Sequence, residues 1–250
     1  MLDFTRKLTI SSAASYLPWR ARKVGEPINL ELRSGERFQL RPKTTENNDY
    51  GVAFEIFVEK QYEDRYGLVP ADVNLIVDLG ANVGYTLLYH LHRYPRARVI
   101  AFEPHPKNAA QAERNLILDR NRDRVDFHRA AAGAQTRTMR LSDQATSSML
   151  TDHDSPNTFE VDVVDIFPLL EGKRIDIFKM DIEGGEYEIL ADSRFGQLDI
   201  GALIMEWHSR GAGVIDKEWC EQRLKSFGFE IKNTFTNPDY GMFWAAPRRR

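Results

Sequence analysis

A short apolar run at residues 75–79 leads into a glycine-containing loop whose residues are suited to holding a small polar ligand. Asp78 lies in the run, and Gly80, Asn82 and Gly84 follow it at every second position. Glycine, and to a lesser extent asparagine, adopts the left-handed backbone conformation of tight turns. We therefore expect Asp78, Gly80, Asn82 and Gly84 to bind a ligand between a strand end and the first turn of the next helix.

A second acidic position, Glu103, directly follows the next apolar run, at residues 99–102, and lies 19 residues after Gly84. In dinucleotide-binding folds, an acid at about this distance accepts hydrogen bonds from ribose hydroxyls. The dinucleotide fingerprint itself is not satisfied, because Asn82 and Tyr85 occupy the positions of its second and third glycines. The sequence therefore predicts a nucleoside ligand with free hydroxyls and no required phosphates, and S-adenosylmethionine meets that description.

The segment Lys179-Met-Asp181-Ile-Glu183-Gly-Gly-Glu186 places four charged side chains at the end of another apolar run. Charges at a buried strand end are unfavourable unless they are paired or used in function. Asp181 is a candidate for contacting the methionine part of the cofactor, for ligating a metal or for acting as a general base. The alternative is an ion pair between Lys179 and an acid that stabilises the start of the next helix.

Glu206 and His208 follow a further apolar run and add candidates for proton transfer. Imidazole titrates near neutral pH, so His208, like Asp181, is a candidate catalytic base. Asp181 and Glu206 are candidate ligands for a divalent metal, although no spacing in the chain requires one. The single cysteine, Cys220, provides neither an internal disulfide nor a zinc site.

These candidates follow short apolar strands that alternate with helices, the pattern of a mostly parallel sheet buried on both faces. Ligands of such sheets bind at the carboxyl ends of the strands. We predict strands at residues 75–79, 99–102, 125–127, 138–141, 159–164, 175–180, 202–205, 229–234 and 242–246, and helices ending near residue 93, at 106–121, after residue 186 and at 217–227. The last two strands leave no room for a helix between them, so the final strand is expected to run antiparallel.

The chain divides into two predicted parts. Residues 1–70 form a small α/β cap, with an irregular or helical arm, a β-hairpin at residues 28–41 and a short helix at residues 51–61. Residues 71–250 form the ligand-binding domain. The loop at residues 142–157, rich in Ser, Thr and Asp, is a candidate lid over the site.

The 250 residues include 34 basic and 37 acidic side chains, which gives a net charge of −3. This balance provides no field that attracts nucleic acid or an anionic membrane, so neither is an expected partner. No apolar run is long enough to span a bilayer, and the N-terminal segment lacks the pattern of a secretory signal. One cysteine fits a reducing compartment, and we expect a cytoplasmic protein.

Three motifs, at Asp78–Gly84, Glu103 and Asp181–Glu186, resemble those of the FkbM family of S-adenosylmethionine-dependent methyltransferases in this order. The resemblance implies a class I methyltransferase fold, with a seven-stranded Rossmann-like sheet and an antiparallel last strand. It also implies O-methylation of a hydroxyl on a small molecule or a sugar. By position, the loop would bind S-adenosylmethionine, Glu103 its ribose, and Asp181 the junction of cofactor and acceptor.

The chain departs from the family pattern at one place, and two other functions are compatible with the same motifs. Where the family usually has Thr-Leu-Asp, this chain has Asp165-Ile-Phe167, so no substrate or metal role is carried over to that position. A nicotinamide-dependent oxidoreductase would use a similar sheet, although its glycine fingerprint is incomplete here. A cofactor-binding module without catalytic activity would have the same loop and acid. Cofactor binding distinguishes the oxidoreductase from a methyltransferase, and product formation distinguishes an active enzyme from a module that only binds the cofactor.

Overall fold

The computed structural model describes residues 2–21, 25–42, 44, 48–142, 150–151, 157–211 and 213–248. The helices are α1 (Leu2–Lys7), α2 (Ile10–Ala21), α3 (Asp49–Phe57), α4 (Tyr85–Arg93), α5 (Pro106–Leu118), α6 (Phe167–Leu170), α7 (Glu186–Ala191) and α8 (Val214–Ser226), with 3-10 turns at Arg122–Arg124 and Ser193–Gln197. The strands are β1 (Ile28–Glu31), β2 (Arg37–Leu40), β3 (Leu75–Leu79), β4 (Arg98–Phe102), β5 (Val125–His128), β6 (Ala131–Gly133), β7 (Arg137–Ser142), β8 (Leu150–Thr151), β9 (Thr158–Asp165), β10 (Arg174–Met180), β11 (Asp199–His208), β12 (Phe229–Thr236) and β13 (Tyr240–Pro247).

Seven strands form the central sheet in the order β12-β13-β11-β10-β3-β4-β5. The strands from β11 to β5 are parallel, and the last strand, β13, runs antiparallel to both of its neighbours. This topology confirms the predicted α/β fold of class I methyltransferases. Parallel pairing sets Lys179 beside Asp78 and Leu79 beside Phe102. The loops that follow β3, β4, β10 and β11 consequently meet at one edge of the sheet.

The N-terminal cap shares a hydrophobic core with the face of the sheet that α4 and α5 cover. The predicted hairpin is present as β1 and β2, the predicted helix as α3, and the arm before them forms α1 and α2. The hairpin backbone is bonded to α5 and to the residue that follows it. The Gln39 N–H donates to Oδ1 of Asn115 at 2.9 Å, and the Arg37 N–H donates to Oδ1 of Asp119 at 2.7 Å. These bonds hold the hairpin against the C-terminal half of α5.

Two helices are shorter than predicted. They end at Phe57 rather than residue 61 and at Leu118 rather than residue 121. In both places a residue with a left-handed backbone follows, Lys60 with φ 55° and Arg120 with φ 62°. A positive φ cannot continue a right-handed helix, and neither lysine nor arginine signals it in the sequence.

A second sheet, of order β6-β9-β7-β8, lies outside the central one. It contains the strands predicted near residues 138–141 and 159–164, which pair antiparallel with each other as β7 and β9. Alternation of apolar and polar residues predicts a strand but not its partner, which is why the separate sheet is not evident from the sequence. Most of the predicted lid, residues 143–149 and 152–156, lies outside the described residues. In the described ranges, no helix has both the length and the apolar character needed to cross a membrane.

Candidate active site

A cavity of about 530 Å³ opens where the loops after β3, β4, β10 and β11 meet. This volume is within the usual range of small-molecule sites. The loops at the edge of the central sheet form one side of the cavity, and α3 with the segment after it forms the other. Among the predicted site residues that line it are Gly80, Asn82, Glu103, Asp181, Glu206 and His208.

The loop after β3 has the backbone that the sequence predicts. Gly80 has φ 87°, and a Cβ at this position would overlap the carbonyl oxygen of Asp181, so glycine alone allows the two loops to approach. Asn82 has φ 50°. Gly84, with φ 84°, instead packs against α5, where an added Cβ would lie 3.1 Å from the Cα of Ala112. Gly80 and Asn82 therefore line the cavity, whereas Gly84 allows close packing of α4 on α5.

The carboxylate of Glu103 ties the glycine loop to the end of β4. Its Oε2 accepts the Asn82 N–H at 2.8 Å, and its Oε1 accepts the His105 N–H at 2.9 Å. Burial raises the pKa of Glu103 to about 7, although both backbone hydrogen bonds oppose the shift. Each oxygen retains a second lone pair. Glu103 can thus fix the loop and still accept hydrogen bonds from ligand hydroxyls.

The carboxylate of Asp78 is fully buried and engaged by protein groups. Its Oδ2 accepts the Thr86 hydroxyl at 2.7 Å, and its Oδ1 lies 3.1 Å from Nζ of Lys179. Burial lowers the pKa of Lys179, but Asp78 and Asp181 raise it by more, so the ammonium stays charged. Lys179 also donates to the carbonyl oxygen of Gly80 at 2.5 Å. Asp78 therefore supports the loop through Lys179, and its direct contact with a cofactor stays a prediction.

Glu186 shapes the loop after β10 from a fully buried position. Its two oxygens accept the N–H groups of Ile182 and Gly184, each at 2.9 Å. Its Oε1 also lies 3.1 Å from Nδ1 of His208. The loop turns tightly, and Glu183 takes a left-handed backbone with φ 52°. Glu186 thus orients the imidazole and fixes the turn that holds Glu183 at the cavity.

Three carboxylates surround Nε2 of His208. Oε2 of Glu183 lies 3.4 Å away, and Oε1 of Glu206 lies 3.8 Å away. Oδ1 of Asp181 lies at 3.9 Å. Burial lowers the pKa of His208, but the hydrogen bond to Glu186 and the nearby carboxylates raise it to about 10. At neutral pH the imidazole is therefore charged and has no free lone pair, which favours Asp181 over His208 as the base.

The other acids beside His208 are also perturbed. Burial raises the pKa of Glu183 to about 7 and that of Glu206 to about 8. Asp181, Glu183 and His208 each present one ligand atom, and these atoms lie within 4.8 Å of one another. Carboxylate oxygen and imidazole nitrogen together suit several divalent metals. The structure thus groups Glu183 with Asp181, where the sequence suggested Glu206, and metal binding stays a prediction.

Residues of the cap that no motif marks also line the cavity, among them Glu55, Tyr62 and Tyr66. The Tyr62 hydroxyl donates to Oδ2 of Asp181 at 3.4 Å. Burial, the charge of Glu59 and that of Asp181 raise the pKa of Glu55. Tyr62 and Asp181 are 119 residues apart in the chain, so no local pattern could have linked them.

Residues 78–231 match the model of a family described as the methyltransferase FkbM domain. The chain belongs to the FkbM methyltransferase family. Family and fold together make it an S-adenosylmethionine-dependent methyltransferase, as the three motifs imply. The matched segment of this FkbM methyltransferase contains Gly80, Glu103, Asp181 and His208, whereas Tyr62 and the rest of the cap precede it.

The chain is also similar to curated relatives and to a solved structure. Methyltransferase 1 of Beauveria bassiana (strain ARSEF 2860) is 26% identical over 227 residues, which cover 78% of this chain and 88% of the relative. The 2-O-methyltransferase NoeI of Sinorhizobium fredii (strain NBRC 101917 / NGR234) is 27% identical over 140 residues, covering 48% and 57%. PH0793 of Pyrococcus horikoshii, described as a candidate transferase, superposes with a TM-score of 0.50 at 13% identity, covering 93% of this chain and 80% of PH0793. The last likeness is one of fold.

The residues that line the cavity have the properties needed to bind S-adenosylmethionine. Gly80 lets the loops after β3 and β10 approach each other at the cavity, and Glu103 offers two oxygens to neighbouring hydroxyls. Asp181, Glu183 and Glu206 line the same cavity, and a positively charged ligand would favour the ionised form of their carboxyl groups. When bound, the cofactor supplies a methyl group on a positively charged sulfur.

Proposed function

We propose that this chain transfers the methyl group of S-adenosylmethionine to a hydroxyl oxygen of a small molecule, with saccharides as the first class to test. The observation that carries the proposal is Asp181, which lines the cavity beside Gly80 with a quarter of its side chain exposed. A hydroxyl is a poor nucleophile at neutral pH until a positioned base removes its proton. The name of the relative NoeI, a 2-O-methyltransferase, supports the same acceptor chemistry.

In this proposal each residue has a separate task. Gly80, Asn82 and Glu103 hold the cofactor, and Asp181 takes the proton of the acceptor hydroxyl. The charged imidazole of His208 offsets the negative charge of the carboxylates around it. Alignment of the hydroxyl oxygen with the methyl carbon is the main contribution of the protein to such a displacement.

The test is methyl transfer from radiolabelled S-adenosylmethionine to a panel of methyl glycosides, aliphatic alcohols, phenols and matching amines. We expect labelled ether products and a decrease in kcat of at least about 100-fold for Asp181→Asn. Affinity for S-adenosylhomocysteine should change little in that variant. Asp126→Asn is the matched control, since Asp126 is an exposed acid on β5, outside the cavity.

Three outcomes would contradict the proposal. Labelled product from the amines alone would assign the chain to N-methylation. Binding of NADH together with indifference to S-adenosylhomocysteine would favour the oxidoreductase. Tight binding of S-adenosylmethionine without product from any acceptor would favour a module that binds the cofactor without catalysis.

A further inference from the structure

The two oxygens of the Asp181 carboxylate have different surroundings. Oδ2 accepts a hydrogen bond from the Tyr62 hydroxyl at 3.4 Å and forms an ion pair with Nζ of Lys179 at 3.6 Å. Oδ1 is the oxygen nearest to His208, at 3.9 Å from Nε2. Oδ2 is therefore held by a hydrogen bond and an ion pair, whereas Oδ1 has no hydrogen bond from the described residues and lies on the side of His208.

The side chain of Tyr62 is buried and packed against other side chains at the wall of the cavity. Only 7% of its surface is exposed, and its ring meets the ring of His90 edge-on, with centroids 6.3 Å apart. Nζ of Lys179 lies 6.0 Å from the centre of the Tyr62 ring. Burial and the charge of Asp181 raise the pKa of Tyr62 well above its usual value. The phenol thus stays protonated and can act toward the carboxylate only as a donor.

We propose that Tyr62 is a positioning residue for methyl transfer, which holds Oδ2 of Asp181 so that Oδ1 is presented to the acceptor hydroxyl. This inference rests on the proposed role of Asp181 as the base. A carboxylate can rotate about its Cβ–Cγ bond, and a hydrogen bond together with an ion pair on the same oxygen favours a single orientation. Hydrogen bonds in a ligand-free site are often long and tighten when ligands bind, in keeping with the separation of 3.4 Å.

The position of Tyr62 in the chain shows that the cap contributes a residue to the proposed site. Tyr62 belongs to the cap, before the segment at residues 78–231 that matches the family. Lys179, which forms the ion pair with Oδ2, comes from β10 inside that segment. The cap therefore does more than cover the cavity, because it completes the orientation of the group that receives the proton.

The first test is structural and needs no acceptor. Crystal structures of the wild-type protein and of Tyr62→Phe would be determined with S-adenosylhomocysteine bound. Tyr89→Phe is the matched control, because this half-buried tyrosine also contacts His90, with ring centroids 5.4 Å apart, yet does not line the cavity. We expect Asp181 in one orientation in the wild type and in the control, and turned or in several orientations in Tyr62→Phe. An unchanged Asp181 in Tyr62→Phe would overturn the proposal.

The second test is a double-mutant cycle of Tyr62→Phe and Asp181→Asn, assayed with the best acceptor of the panel. We expect Tyr62→Phe to lower kcat about tenfold, the effect of a lost hydrogen bond to a charged group, with KM for S-adenosylmethionine within twofold of wild type. In the Asp181→Asn background the same change should have almost no further effect. Equal effects in both backgrounds would show that Tyr62 does not act through Asp181.

The two tests separate this proposal from the proposed function. If no hydroxyl compound is methylated, the function fails, while the crystal structures still decide whether Tyr62 orients Asp181. If hydroxyl methylation occurs but the cycle is additive, the function stands and the role of Tyr62 is refuted.

Discussion

Replacement of Glu103 by glutamine would test the link between the glycine loop and the cofactor. Glutamine keeps the shape of the side chain but replaces one acceptor oxygen by an NH₂ donor. That donor would face the N–H of either Asn82 or His105, both of which now donate to the carboxylate. One backbone hydrogen bond is lost in either orientation, and the remaining one is no longer assisted by charge.

The expected magnitude follows from these bonds. A hydrogen bond to a charged group contributes about 1.5–3 kcal/mol, and a neutral one about 0.5–1.5 kcal/mol. If two ribose hydroxyls bind Glu103, each loses about 1 kcal/mol, so the affinity for S-adenosylhomocysteine should fall about 30-fold. The loss of one backbone hydrogen bond to residue 103 should also lower the free energy of unfolding by about 2 kcal/mol, which corresponds to a fall in melting temperature of about 4–8 °C.

Titration calorimetry with S-adenosylhomocysteine at several pH values provides the assay. Because burial raises the pKa of Glu103 to about 7, the affinity of the wild type should rise between pH 6 and pH 8 as the carboxylate ionises. The Glu103→Gln variant should show a flat profile there. Glu171→Gln, at an exposed acid outside the cavity, is the control. Equal affinities of Glu103→Gln and wild type at pH 8.5 would refute the assigned role of Glu103.

Two further predictions concern stability. Gly80→Ala should lower the free energy of unfolding by about 3 kcal/mol or more, because a positive φ strains the alanine and its Cβ overlaps the loop after β10. Gly172 also has a positive φ, 69°, but lies in open space, so Gly172→Ala should lower the free energy of unfolding by only about 1–2 kcal/mol. Similar losses of both variants in urea denaturation would contradict the close approach of the two loops at Gly80. Folding raises the pKa of Glu206 to about 8 and that of His208 to about 10. The folded protein therefore binds more protons than the unfolded chain, and its stability falls as the pH rises. The melting temperature should fall more steeply between pH 7 and pH 10 in the wild type than in His208→Gln, and parallel curves would show that His208 is not charged in the folded protein.

The loops that carry the site can be predicted largely from sequence, because local chemistry decides them. Gly80 and Asn82 adopt the left-handed backbone that their residue types allow. Glu103 lies where the end of an apolar run places it, and parallel pairing brings the other strand ends to the same edge. The ion pair of Asp78 with Lys179 could not be predicted in this way, because it depends on the register of β3 against β10, and contact of Asp78 with the cofactor stays a prediction.

The sequence by itself thus determined the class of fold, the family and the edge of the sheet where ligands bind, because all three follow from short motifs and from the alternation of strands with helices. Only the tertiary structure decided how the charges are arranged. Glu186 holds His208, and Tyr62 reaches Asp181 across 119 residues of chain. Contacts of this kind depend on how the cap packs against the sheet, and neither spacing nor residue type along the chain records that packing.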